Sequence, residues 1–297
     1  MKQQPLWRVS ITTTPEVEDA VAEMLGAVFS RGAVSYHNLQ TGVSTITVYC
    51  EAKPPAGIRK TILVGLAQIK NCGLKVGSGE WTIARVRRED WAESWKRHFK
   101  PIEVGNKLLV KPSWSKRRPR KNQAVLVLDP GLSFGTGQHP TTAFCLREIA
   151  RCRKLGTRQS FLDIGTGSGI LAIAAAKLGY QPVRAFDFDA EAVRIARANA
   201  RTNRVQTKLE IGLENVSQMP MRPAQKYDLI CANLISDLLI TERRRIAAQL
   251  TRSGTLVLAG ILKSEFPEVR KEFEMSELKL LSSKTENEWR SGSFRAE

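Results

Sequence analysis

The chain has 297 residues, 42% of them hydrophobic and 25% charged, the balance of a soluble globular protein with one large or two modest cores. Apolar runs stay short of membrane-spanning length, Met1 to Thr14 lack the apolar core of a signal peptide, and the five scattered cysteines include no C-x-x-C pair. Membrane insertion, a disulfide framework and a zinc centre are therefore not expected, and the setting expected is the reducing cytoplasm, while a net charge of +17 points to an anionic environment.

Read in chain order, the first ninety residues form an α+β unit. Trp7 to Thr13 alternate as a strand, and Thr14-Pro15-Glu16 opens a helix to about Phe29. Val34–Leu39 and Val43–Cys50 are strands around Gln40-Thr41-Gly42, Ile58–Asn71 is a helix, and Trp81–Val86 is a last strand. The order βαββαβ predicts a small ferredoxin-like sandwich. Residues 1–89 are assigned to this domain, 90–104 to a linker with a helix over Asp90–Phe99, and 105–297 to a second domain.

Between Trp91 and Val125 ten Lys or Arg stand against two acids, including the run Lys116-Arg117-Arg118-Pro119-Arg120-Lys121. Such a run is either a solvated loop or an electrostatic foothold on RNA, and composition does not choose. Leu108–Val110 and Val125–Leu128 bracket it as strands. The aromatic side chains Trp91, Trp95, Phe99 and Trp114 fit packing at a domain junction better than base stacking.

The chemistry concentrates further on. Phe161 and Leu162 lead into Asp163-Ile164-Gly165-Thr166-Gly167-Ser168-Gly169, a strand ending in a glycine turn. Ile170, Leu171, Ile173, Ala174 and Leu178 then recur at helical spacing before Gly179. Val183–Phe186 is the next strand, with Asp187 at its tip. The glycines let the backbone turn sharply and a ligand approach it. A dinucleotide fingerprint needs a third glycine where Ile170 stands. The G-x-G-x-G spacing followed by Asp187 instead resembles class I S-adenosylmethionine-dependent methyltransferases, in which the acid binds both ribose hydroxyls. A glycine turn without a nucleotide is the plain alternative. Leu229–Ala232 then reads as a buried strand, Asp237–Leu250 as a helix and Gly254–Ala259 as a strand. Leu278–Ser283 and Trp289–Phe294 read as a closing hairpin, so the fold class predicted is α/β with a Rossmann-like parallel sheet.

Three further segments are more particular. Asp129-Pro130-Gly131-Leu132-Ser133-Phe134-Gly135-Thr136-Gly137-Gln138-His139-Pro140-Thr141-Thr142, Asn233-Leu234-Ile235-Ser236 and Ala259-Gly260-Ile261-Leu262 together resemble the methyltransferases of large-subunit ribosomal protein eleven, the PrmA family. Trp91 to Pro101 looks like the junction of that family. The resemblance implies an N-terminal domain that holds the protein substrate and a C-terminal domain that transfers methyl groups from S-adenosylmethionine to its amines, on lysine side chains or the N-terminal α-amine. It implies Thr142, Gly165, Gly167, Asp187 and Asn233 as cofactor-binding residues, with Asn233 also catalytic, and no metal. Read without the resemblance, Thr141 and Thr142 are equally helix caps, Asn233 a turn asparagine, and His139 a loop histidine rather than a base.

This chain departs from the family at Asn233-Leu234-Ile235-Ser236, where Asn-Ile-Leu-Ala is usual, and at Thr166, where Cys is common. Its basic loop is also unexpected there and leaves a contact with ribosomal RNA open. Rival readings are the same chemistry on RNA or another protein lysine, a non-catalytic RNA-binding factor, and a nicotinamide oxidoreductase.

Overall fold

Alternation of apolar and polar residues dictates the first sheet. In this computed structural model, which describes residues 6–29, 33–38, 41–55, 57–86, 100–129 and 139–296, β1 (Leu6–Thr13) buries Val9 and Ile11 on one face. It pairs antiparallel with β3 (Val43–Cys50) and β4 (Trp81–Val86), and β2 (Val34–Asn38) pairs with the far side of β3. The order β2-β3-β1-β4 is that of the predicted ferredoxin-like sandwich. Helices α1 (Glu18–Phe29) and α2 (Ile58–Asn71) bring Val21, Leu25, Ile62 and Leu66 onto the face formed by Val9, Ile11, Ile46 and Val48. Thr14 does not cap α1. Its hydroxyl donates to the Lys75 carbonyl, and a short 3₁₀ turn at Pro15–Val17 precedes the helix.

The chain divides into two compact units, Met1–His98 and Phe99–Glu297. The helix expected over Asp90–Phe99 lies outside the described residues. The second unit opens with a small sheet in which β5 (Ile102–Val104) runs antiparallel to β6 (Leu108–Lys111), and β6 runs parallel to β7 (Ala124–Val127). β5 was not foreseen, because three residues are too few to show a period.

The main sheet follows from α3 (Pro140–Cys152) onward. Its elements are β8 (Phe161–Ile164), α4 (Ile170–Lys177), β9 (Val183–Asp187), α5 (Ala190–Thr202), β10 (Leu209–Leu213), β11 (Tyr227–Asn233), α6 (Ser236–Thr241), α7 (Arg243–Ala248), β12 (Leu250–Leu262), α8 (Phe266–Glu274), β13 (Leu278–Glu286) and β14 (Trp289–Ala296). The strand order is β10-β9-β8-β11-β12-β14-β13. Neighbours from β10 to β12 are parallel, and β14 and β13 are antiparallel. The chain runs outward from β8 to β10 and then returns to place β11 on the other side of β8. That reversal opens a crevice at the carboxyl ends of β8 and β11.

Both faces of this sheet are covered, so its strands are continuously apolar rather than alternating. Phe161 and Cys231 join the core beneath α3, α4 and α5, while Leu162, Ile164 and Ile230 join the core beneath α6, α7 and α8. The single helix expected over Asp237–Leu250 is two short ones. Glu242, at φ −99° and ψ 11°, separates them, and Leu250 enters β12 as the register partner of Tyr227. Pairing along the sheet overrode a helical apolar spacing. Cys50, Cys145 and Cys231 are buried, as small core side chains should be, while Cys72 is exposed. No helix among the described residues is long and apolar enough to cross a membrane.

Phe294 tests the dependence of the hairpin on this core. It is 0% exposed and packs against Phe273 with ring centroids 6.0 Å apart. Phe294→Ala should destabilise the second unit by about 3–5 kcal/mol, read as a shift in the urea midpoint of its tryptophan fluorescence transition.

Candidate active site

The glycine turn is held from the neighbouring strand. After Ile164 the amides of Gly165 and Thr166 both donate to the Phe186 carbonyl, each at 3.0 Å. Gly165, Gly167 and Gly169 have φ of +72°, +53° and +81°, the left-handed region in which a side chain is strained. A Cβ on Gly165 would stand 2.5 Å from Leu234 Cδ2. The turn then enters α4, an eight-residue helix whose first seven residues are all buried.

Asp187, at the tip of β9, closes this arrangement. Its Oδ2 accepts the Gly167 N–H at 2.9 Å and its Oδ1 accepts the Asp189 N–H at 3.1 Å. A carboxylate offers about four lone-pair positions, so each oxygen keeps room for a hydroxyl donor.

Asp163 lies beneath the turn and is 1% exposed. Its Oδ2 accepts the Thr166 hydroxyl at 2.7 Å and the Ala172 N–H at 3.2 Å, while its Oδ1 is buried with no hydrogen bond among the described residues. Burial pushes its carboxyl up to about 7. The bonds from Thr166 and Ala172 oppose that rise, and the charge of Asp187 adds to it.

Thr142 stands in the first turn of α3, 1% exposed, and its Oγ1 is buried without a hydrogen bond among the described residues. Neither threonine caps the helix. His139 is the N-cap residue and makes no side-chain capping bond, and Thr141 Oγ1 pairs with His139 Nδ1 at 2.7 Å. The imidazole meets the Trp289 ring edge-on at 5.0 Å, and burial lowers its pKa, with Glu288 opposing. Asn233 ends β11 opposite Ala259 of β12, and among the described residues no hydrogen bond engages its carboxamide.

Thr142, Gly165, Gly167, Asp187 and Asn233, scattered over more than ninety residues, line one cleft of about 360 Å³, a size that admits a nucleoside-sized ligand. Phe188, Glu214, Asn215, Val216 and Leu234 are among the other residues that line it, and the sequence assigns none of them a binding role. Phe188 is 75% exposed. Glu214 is held by Arg184, whose Nη2 lies 2.8 Å from both of its carboxylate oxygens. Glu214, Asn215 and Val216 follow β10, a strand the sequence reading passed over. The segment 130–138, with most of the Asp129–Thr142 motif, lies outside the described residues.

The basic run leads from β6 towards β7 and is partly neutralised within its own unit. Arg120 Nη2 pairs with Glu103 Oε2 of β5 at 2.6 Å, and Arg117 Nε donates to Glu103 Oε1 at 3.1 Å. Lys111 Nζ donates to the carbonyls of Ser115 at 2.9 Å and Arg117 at 3.1 Å.

An orphaned buried hydroxyl at Thr142, a turn of positive-φ glycines whose backbone lines the cleft, and a carboxylate with spare acceptor capacity suit a ligand with a ribose diol and a polar amino-acid end. S-adenosylmethionine is such a ligand. With the reversed strand order and the antiparallel β13–β14 closure, the cleft places this chain among the class I S-adenosylmethionine-dependent methyltransferases.

The family is narrower. The model of "Ribosomal protein L11 methyltransferase (PrmA)" matches residues 5–297, and the chain belongs to that family. A ribosomal protein L11 methyltransferase of Caldicellulosiruptor bescii is 31% identical over 303 residues, covering 95% of this chain and 96% of that protein. One of Alkaliphilus oremlandii is 34% identical over 224 residues, covering 75% of this chain and 70% of that protein. The crystal structure of the ribosomal protein L11 methylase of Lactobacillus delbrueckii subsp. bulgaricus is similar at a TM-score of 0.59 and 28% identity, covering 67% of this chain and 100% of that one. These comparisons lend no support to the ribosomal RNA contact that the basic run leaves open.

The raised Asp163 pKa has a pH signature. The native state keeps this proton up to about pH 7, whereas the unfolded chain releases it near the ordinary aspartate value of 3.8. The resulting stability is full below about pH 4 and is lost as pH rises through about 7. Urea unfolding of the ligand-free protein at pH 5 and pH 8 should show a loss on the order of 3 kcal/mol that Asp163→Asn removes.

Proposed function

We propose that the chain transfers methyl groups from S-adenosylmethionine to amines of ribosomal protein L11, on lysine side chains, the N-terminal α-amine or both, in the cytoplasm. Membership of a family of ribosomal protein L11 methyltransferases supports the substrate. The observation that supports the site is that Asn233 lines the same cleft as the glycine turn and Asp187.

S-adenosylmethionine, when bound, supplies a sulfonium methyl group already activated for displacement. Asp187 would take the ribose hydroxyls in a bidentate, charge-assisted pair. The amides and carbonyls of Gly165 and Gly167 would line its path, and the Thr142 hydroxyl would meet the methionine end. Asn233 would accept a hydrogen bond from the incoming amine through its carboxamide oxygen and aim the nitrogen lone pair along the bond to be broken. Alignment of this kind supplies most of the rate when the donor is already reactive. The amine must be neutral to attack, so its proton leaves to water before transfer. No group in the cleft has to create a stronger nucleophile.

The first unit is the substrate-holding domain on this reading and residues 105–297 the methyltransferase domain, while the assigned linker 90–104 ends in β5, a strand of the second unit's small sheet. The Thr166 departure is tolerated, because the hydroxyl satisfies Asp163 beneath the turn.

The deciding experiment is methyl transfer from labelled S-adenosylmethionine to unmethylated ribosomes and to free ribosomal protein L11, with protein and RNA separated and the protein mapped by mass spectrometry. Label should fall on amines of that protein; label in RNA alone would overturn the reading. Titration calorimetry with S-adenosylhomocysteine should show Asp187→Ala weakening binding by about a hundredfold or more. The pH profile separates the two kinds of target. Modification of an α-amine should level off above about pH 8, whereas that of a lysine should keep rising towards about pH 10, following their reference pKa values.

A further inference from the structure

Leu234, the residue after Asn233, is gripped between two glycines from different parts of the sheet. Its side chain lies over Gly165, where a Cβ would approach Leu234 Cδ2 to 2.5 Å. Its backbone lies against Gly260, where a Cβ would stand 2.5 Å from the Leu234 carbonyl oxygen and 3.0 Å from its C and N atoms. The Leu234 N–H donates to the Ala259 carbonyl at 3.0 Å, and Ala259 is also the register partner of Asn233.

Gly260 has φ +82° and falls where the β12–β14 register shifts, between Leu258 and Ile261. An irregularity of this kind bends a strand locally and re-aims the groups beside it. Only a residue without Cβ lets the Leu234 peptide come so close. The Asn233–Leu234 peptide is thereby held by β12 on its backbone side and by the cofactor turn on its side-chain side.

We infer that Leu234, clamped between Gly165 and Gly260, is the device that positions Asn233, and that Gly260 is a positioning residue for methyl transfer although it does not line the cleft. This rests on the role assigned to Asn233 above. The clamp ties the station of the carboxamide to the turn that receives the cofactor, so the distance between donor and amine is set by one rigid contact. Gly260→Ala wedges the clamp from behind, and Leu234→Ala loosens it from the front.

The test is a double-mutant cycle. Gly260→Ala and Leu234→Ala are each measured alone and with Asn233→Ala, for kcat on ribosomal protein L11 and for S-adenosylhomocysteine affinity. Each single variant should lose kcat roughly ten- to a hundredfold, as small misplacements near reacting groups do, with affinity changed less than about threefold in Gly260→Ala, which lies outside the cleft lining. Combined with Asn233→Ala, neither should cause a further loss, because both act through that carboxamide. Gly292→Ala is the structural control. A Cβ there would stand 2.9 Å from the Phe266 ring, away from the cleft, and should lower the melting temperature without lowering kcat. Losses that multiply with Asn233→Ala, or an equal loss of kcat in Gly292→Ala, would overturn the clamp while leaving the role of Asn233 intact. Wild-type kcat in Asn233→Ala would overturn both. Leu234→Ala adds no crowding, so it keeps the test open if Gly260→Ala does not fold.

Discussion

Two hydrogen bonds accepted by one carboxylate hold the cleft in shape. Asp187 takes the amides of Gly167 and Asp189, and so ties the turn after β8 to the tip of β9. The turn needs that tie because its glycines lie in a region of conformational space with little intrinsic preference to hold them. The Phe186 carbonyl adds two more bonds to the same loop. The strand ends can meet because β8 and β9 pair in parallel register from Phe161 and Val183 to Ile164 and Phe186. The turn is therefore held by bonds within the protein itself, which lowers the ordering that ligand binding costs there.

The position of the cleft follows from strand order. Sequential strands move away from β8 in one direction and resume on its other side, and the helices on the two faces diverge at that point. The first seven residues of α4, all apolar, can be buried there because small residues let helices close on one another: a Cβ on Gly169 would lie 3.1 Å from that of Ala196 in α5. Close packing of α4 in turn fixes the turn that begins it. Asp163 is the counterpart of that packing, a buried acid that keeps its proton to near neutrality and joins Thr166 to Ala172 across the turn.

Charge is organised separately from this machinery. Glu103 gathers Arg117 and Arg120 on the outside of the small sheet, with side chains that remain about half exposed, so these pairs order a loop more than they stabilise a fold. The chain carries a net charge of +17, but the cleft itself is built from backbone, apolar surface and a few neutral or acidic groups.

Local patterns in the chain carried the parallel sheet, the glycine turn and Asp187, because a buried strand, a G-x-G-x-G turn and an acid at the next strand's tip are each written in a few adjacent residues. The ferredoxin-like order was legible for the same reason, and so were the boundaries of Ile58–Asn71 and Trp81–Val86. What depended on distant partners was not legible. The break at Glu242 and the passage of Leu250 into β12 come from pairing with Tyr227. The threonines at the start of α3 look like caps in the sequence, yet one pairs with His139 and the other faces the cleft, and only the packing of α3 decides this. Phe188 and Asn215 line the site although neither belongs to a recognisable motif. The sequence by itself determined the class of chemistry and its cofactor through the resemblance its motifs carry, since a glycine turn and an acid at a strand tip are written in adjacent residues. Tertiary structure alone decided which side chains share the cleft and how Leu234 lies between Gly165 and Gly260, because those contacts join residues far apart in the chain.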